Sequence, residues 1–314
     1  MTETQEYRFD SADGVSKIHC VKWLPEQEPV AVLQLVHGMV EYIERYTEFA
    51  EFMTKQGFVV VGHDHIAHGD SVSSKEEWGI VHVKHPSDVM VEDICTHYEM
   101  TKKAYADIPY FILGHSMGSY MLRKALCKKA KEMDGLSGAV IMGTGTEADT
   151  TISAGLAVIN VLSFFKSDKY RSTFVRDMTY GGPYKQYDCT GAMPDNSWLS
   201  KNVESVKKYY KDPKCTFTFS LGAYRGLVES TQYDNKMENI ALMKKDLPIL
   251  FASGAADPVG NMGKGVQQAY DKFKEAGMQD LSIKLYENDR HEILNELDRD
   301  KVYQDMYDWM KSKM

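Results

Sequence analysis

The chain predicts a mostly parallel β-sheet with helices on both faces, and three observations carry that expectation. Short apolar runs at residues 30–36, 58–61, 110–113, 139–142 and 248–252 read as strands buried on both sides. Stretches of helical periodicity separate most of them, which is the signature of parallel strands joined by crossovers. From about residue 146 to 245 the alternation stops, and an aromatic-rich segment intervenes.

Taken in order, the chain opens on a hairpin, residues 6–9 and 17–23, around a turn at Asp13-Gly14. The run 30–36 enters His37-Gly38-Met39, and a helix at 45–56 is stopped by Gly57. The strand 58–61 follows, and a long helix at 88–106 leads into the strand 110–113. Strands at 139–142, 248–252 and 282–286 and helices at 263–276 and 294–311 complete an eight-stranded pattern. The predicted division is a discontinuous core, 1–145 with 246–314, and an insertion at 146–245 over the C-terminal edge of the sheet, where open α/β sheets bind ligands. The insertion begins with residues 152–165, apolar nearly all round. Two readings of that helix stand side by side: one buried against the core, or one lining an acyl-chain pocket or touching lipid.

Composition narrows the function classes. A net charge of −8 argues against a nucleic-acid partner, which would require a basic stripe. The first residues, Met1 to Glu6, are polar and acidic, unlike a signal peptide, and no run approaches the roughly 20 apolar residues of a membrane span. The five cysteines are scattered and form no Cys-x-x-Cys, which suits a cytoplasmic setting and offers no zinc site.

The chemistry is concentrated at Gly114-His115-Ser116-Met117-Gly118. A buried strand runs into it and a helical pattern (Met121, Leu122, Ala125, Leu126) runs out. Such a turn is the nucleophile elbow of α/β-hydrolases, which holds a serine hydroxyl proud of the sheet. The flanking glycines answer a steric need, because a Cβ beside the bend would strike the adjoining backbone. A serine hydroxyl is a weak nucleophile and needs a base, oriented in turn by an acid. In this fold the order is Ser, acid, His, and of the ten histidines only His291 lies beyond Ser116. Asp257 is the expected acid, since it ends the strand and small-residue turn at 248–256; Asp289 and Glu287 sit too near His291 in sequence to be favoured. The expected oxyanion donors are the backbone amides of Met39 and Met117.

A second cluster, His63-Asp64-His65-Ile66-Ala67-His68-Gly69-Asp70, superficially suggests metal chemistry. Ala67 stands where a His-x-His-x-Asp-His run needs a carboxylate, so the stretch is read as a loop that shapes the site and steadies the oxyanion loop.

These motifs together resemble the monoacylglycerol lipase and bacterial lysophospholipase group of α/β-hydrolases (serine aminopeptidase S33-type, Hydrolase_4). Residues 37–46 are similar to His-Gly-x-x-Glu-His-x-x-Arg-Tyr, residues 64–71 to Asp-His-x-Gly-His-Gly-x-Ser, and residues 114–118 to Gly-His-Ser-Met-Gly. Trp198-Leu199-Ser200, Tyr210, Asp212-Pro213 and Cys215 resemble the cap of the bacterial branch. Tyr42 and Ala67 depart from the pattern, which has His and Gly there. The resemblance implies an α/β-hydrolase fold with a mainly helical cap (lid). It implies a serine hydrolase cleaving esters of single-chain lipids, monoacylglycerol or lysophospholipid, under a lipophilic cap. The residues themselves lead to the expectation of no cofactor or metal and, through the apolar stretch 152–165, of a transient membrane or micelle contact as one of its two readings. The alternatives are a broad carboxylesterase, an S33-type aminopeptidase on the same triad, or a ligand-binding protein on a retained scaffold.

Overall fold

The computed structural model describes residues 2–314; Met1, the first residue of the predicted core, lies outside them. β1 (Glu3–Asp10) and β2 (Lys17–Leu24) form the expected antiparallel hairpin. β1 starts earlier than its sequence suggests. Its side chains are almost all exposed, so backbone pairing with β2 rather than an apolar face extends it. The remaining strands are β3 (Ala31–Val36), β4 (Phe58–His63), β5 (Tyr110–His115), β6 (Gly138–Met142), β7 (Ile249–Gly254) and β8 (Leu281–Tyr286). They join one sheet in the order β1-β2-β4-β3-β5-β6-β7-β8, parallel from β4 to β8 and antiparallel at the β1 and β2 edge.

Helices connect the parallel strands. Before β6 they are α1 (Thr47–Lys55), α2 (Pro86–Ala104) and α3 (Met117–Lys128). Between β6 and β7 lie α4 (Asp149–Lys166), α5 (Thr173–Thr179), α6 (Val203–Lys211), α7 (Leu221–Asp234) and α8 (Met237–Ile240). α9 (Lys264–Glu275) and α10 (Arg299–Lys311) close the chain. Two predicted starts move inward, because 3-10 turns at Ile43–Tyr46 and Ile293–Asn295 precede α1 and α10. Alternate residues of each central strand feed opposite layers. Val32 and Ile112 pack with Met121 and Phe273 on one face, while Leu33 and Phe111 join the layer of Phe49 and Met306 on the other.

Topology locates the site. From β3 the chain crosses to β4 on one side and then returns to β5 on the other. The loops leaving the C-terminal ends of β3 and β5 therefore diverge and leave a crevice, where ligands bind in sheets of this kind. Residues of α4, α5 and α7, between β6 and β7, line a cavity together with Ser116. Of the two readings for residues 152–165, burial in the core is not what the structure shows. α4 buries only Ile152 and Ile159, and Phe164 and Phe165 are 85% and 74% exposed.

Candidate active site

The strand β5 delivers Ser116 at a sharp bend, with φ 52° and ψ −122°, a region that side chains rarely occupy. The two elbow glycines make that bend possible. A Cβ on Gly118 would lie 2.2 Å from the Val36 carbonyl oxygen, and one on Gly114 would lie 2.5 Å from that of Gly118. Helix α3 starts directly after Ser116, so the Met117 amide is one of its unpaired first-turn donors. Met39, in the loop after β3, lines the same cavity as Ser116 and Met117. Among the described residues, neither the Met39 nor the Met117 amide is taken by a protein acceptor.

His291 lies in the loop between β8 and α10, and Asp257 in the turn after β7; both are buried. His291 Nδ1 is 3.0 Å from Asp257 Oδ2. Asp257 also accepts from Ser253 Oγ at 3.1 Å and from the Val259 amide at 2.8 Å, which fixes its carboxylate plane. The bond at Nδ1 assigns the proton there and leaves Nε2 as the basic nitrogen. Ser116 and His291 line one small cavity, together with His115 and Trp198. Asp289 is brought elsewhere, since it pairs with Lys201 Nζ at 2.6 Å. Glu287 is exposed.

The His291 ring packs against two others. Trp198 stacks on it at 5.0 Å with an interplanar angle of 29°, and His115 packs at 4.6 Å and 39°. The backbone joins in, with the His291 amide donating to the Trp198 carbonyl at 3.4 Å and the Glu292 amide to that of Leu199 at 2.7 Å. Beneath them lies a buried charged network. His115 Nδ1 meets Glu41 Oε1 at 3.1 Å, and its Nε2 meets the His291 carbonyl at 3.3 Å. Glu41 accepts from the Gly38 amide at 2.5 Å and from Arg45 at 2.7 Å, and Arg45 grips Glu292 through two bonds at 2.7 and 2.8 Å. Burial alone would push the His115 imidazole down, but its bond to the Glu41 carboxylate holds it above its ordinary value. Burial would likewise raise Glu41, yet the His115 bond and the Arg45 charge hold it well below the usual carboxylate range. The sequence displayed Glu41, Arg45 and Trp198 only as matches to a motif; their signal was position, not role.

The histidine loop does not assemble a metal site from His63, His65 and His68. Among the described residues, the one group of three potential ligands within 4.8 Å of one another is His19, Asp64 and Asp70. Asp64 there already accepts from His19 Nδ1, the Ile43 amide and the Asp70 amide, and Asp70 is paired with Lys214 Nζ. His65 N–H donates to His37 Nε2 at 2.9 Å, and His68 Nε2 accepts from the Val40 amide at 3.3 Å. Burial pushes His68 down to about 3, so it serves as a neutral acceptor.

The elbow opens into a cavity of about 530 Å³. Ile152, Val158 and Ile159 of α4, Val175 of α5 and Leu227 of α7 form much of its wall, and Glu147 is its one carboxylate among the described residues. That volume lies within the usual range for small-molecule sites.

The strained serine at a strand-to-helix turn, on this sheet order, defines the class: the chain is an α/β-hydrolase, and within that class an ester hydrolase. It belongs to the Hydrolase_4 family, serine aminopeptidase S33, whose pattern matches residues 27–298. It is similar to the monoglyceride lipase of Mus musculus, 27% identical over 97% of this chain and 89% of the relative. With the monoglyceride lipase of Homo sapiens it shares 26% identity over 96% of this chain and 89% of the relative. Among solved structures, a thermostable carboxyl esterase from Bacillus coagulans, in complex with glycerol, superposes with a TM-score of 0.88 at 26% identity, covering 99% of each chain. No helix among the described residues is long and apolar enough to cross a membrane.

Proposed function

We propose that this enzyme hydrolyses carboxylic esters of single-chain lipids, monoacylglycerols or lysophospholipids, through an acyl-enzyme on Ser116. One observation carries the reading: Ser116 stands on a strained elbow at the end of an apolar cavity of about 530 Å³, beside a His291 paired with Asp257. Ser116 Oγ attacks the ester carbonyl while His291 Nε2 takes its proton. Asp257 keeps the tautomer and stabilises the imidazolium, and the Met39 and Met117 amides receive the oxyanion. His291 then protonates the leaving alcohol, and water, activated by the same base, releases the fatty acid. Ser116 Oγ has no side-chain partner among the described residues; such bonds commonly tighten only once substrate is bound.

Residues 146–245 act in this reading as a cap on a core of 1–145 and 246–314. The apolar wall suits a fatty acyl chain better than a peptide, whose ammonium group would need carboxylates, and among the described residues Glu147 alone lines the cavity with one. The names of the mouse and human relatives support the monoacylglycerol choice. The exposed Phe164 and Phe165 of α4 support transient contact with a membrane or micelle, and the unpaired cysteines support a cytoplasmic setting.

The test is Ser116→Ala, assayed with acyl esters of increasing length beside a monoacylglycerol, a lysophospholipid and an aminoacyl amide. The wild type is expected to favour the lipid esters, and the variant to lose hydrolysis and fluorophosphonate labelling with its melting temperature intact. Unchanged labelling of the variant, or preference for the amide, overturns the proposal.

A further inference from the structure

The loop after β3 carries a conformational oddity beside the Met39 amide. Val40 is β-branched, yet it sits at φ 56°, in the left-handed region. A β-branched residue stays there only when its surroundings impose it. Both peptide groups of Val40 are held. Its amide donates to His68 Nε2 at 3.3 Å, and its carbonyl accepts from the Tyr209 hydroxyl of α6 at 3.1 Å. Two residues on, the Tyr42 hydroxyl donates to Asp212 Oδ2 at 2.7 Å. Asp212 is itself fixed, because its Oδ1 accepts from the Lys214 amide at 2.8 Å. The Lys214 ammonium lies 4.8 Å from the centre of the Tyr42 ring and bonds Asp70 at 2.7 Å. The Arg45 guanidinium covers Tyr209 in the same way, at 4.8 Å. On the other side of Met39, the Gly38 amide is tied to Glu41.

From this arrangement we infer that residues 209–214 of the cap clamp the oxyanion loop, with Tyr209 and Tyr42 as positioning residues that aim the Met39 amide. The inference rests on the serine-hydrolase reading above. Anchored at Gly38 and at both peptide groups of Val40, Met39 has little freedom to turn its N–H away from the serine. If the Tyr209 bond is lost, one of the two restraints on Val40 goes, and the residue can relax toward an ordinary backbone conformation. The Tyr42 position matters because it is a departure from the family pattern. Here it supplies a phenol long enough to reach the cap. The end of α6 and the residues after it thereby steady the oxyanion loop, while α4, α5 and α7 line the substrate cavity.

A donor used mainly in the transition state gives a distinct kinetic signature: kcat and kcat/KM fall together and KM stays put. Tyr209→Phe and Tyr42→Phe each remove one hydroxyl and keep the ring. With a short p-nitrophenyl ester, which places little demand on the acyl pocket, each is expected to lower kcat roughly 3- to 10-fold with KM within about twofold. Labelling by a fluorophosphonate, which also develops charge on an oxygen at the oxyanion site, should slow by the same factor. Asp212→Ala should match Tyr42→Phe, and combining the two should cost no more than either alone. It also reports on the clamp if Tyr209→Phe fails to fold. Unchanged kcat in the folded variants, or an effect confined to KM, overturns the clamp. Residual turnover in Ser116→Ala would instead overturn the underlying function, so the two failures are told apart.

Discussion

In the proposed mechanism, Asp257 is the residue on which the base depends. It is fully buried, and its two oxygens accept from His291, Ser253 and Val259. An amide of the same shape would donate where it should accept, favouring the wrong tautomer of His291. Asp257→Asn is therefore expected to lower kcat by about 10³- to 10⁴-fold while the fold persists. Saturation kinetics beside circular dichroism checks it, and a loss below tenfold would remove Asp257 from the role. Asp257 was legible as a candidate because a strand end followed by small residues is a local pattern, and the structure brings its carboxylate to 3.0 Å from His291 Nδ1. Trp198 was not legible in the same way. Its stacking on His291 depends on how the insertion settles over the sheet, which no local pattern encodes.

Helix α4 shows the same division at the scale of an element. Its apolar composition was evident, but composition does not say which face looks where. In the structure one stripe (Ile152, Val158, Ile159) faces the cavity, and the opposite end presents Val161, Phe164 and Phe165 outward. Two adjacent exposed phenylalanines are a costly surface in water, and they match the chemistry of an acyl boundary. Phe164→Ser with Phe165→Ser is expected to weaken sedimentation with phosphatidylcholine vesicles several-fold, leaving turnover of a short soluble ester unchanged. Equal binding by the variant and the wild type would show that α4 is not the contact. The elbow, by contrast, was readable as an element, because its glycines answer to clashes within a few residues and with the end of β3.

Over the whole molecule, five buried histidines bias stability with pH. Burial holds His37, His63, His65, His68 and His97 below their ordinary value, His68 and His97 at about 3. The unfolded chain takes up protons near pH 6.5 that these native rings refuse, so stability rises with pH across that window and falls on acidification below it. For His68 and His97 that loss approaches about 1.4 kcal/mol per pH unit below ~6.5, until the folded value is reached. His19 and His115 are shifted the other way by Asp64 and Glu41. Their contribution is gained as pH falls through the folded value and is complete below the unfolded one, so it offsets part of the loss above ~6.5 and adds nothing further below it. The melting temperature is expected to drop markedly between pH 7 and pH 5, as read by calorimetry, and a flat profile would contradict it.

By itself the sequence determined the alternation of buried strands and helices, the strained elbow at Ser116, and the order that leaves His291 beyond it. These follow from periodicity, glycine sterics and chain order, all short-range or one-dimensional properties. Only the tertiary structure decided what surrounds them. The Tyr209 hydroxyl meets the Val40 carbonyl across 169 positions, and Tyr42 meets Asp212 across 170. Cavity volume, the two faces of α4 and the burial that keeps the histidines neutral are likewise sums over distant segments. A contact between such segments is set by how the sheet and its insertion pack together, and that information is shared among many residues rather than written in a motif.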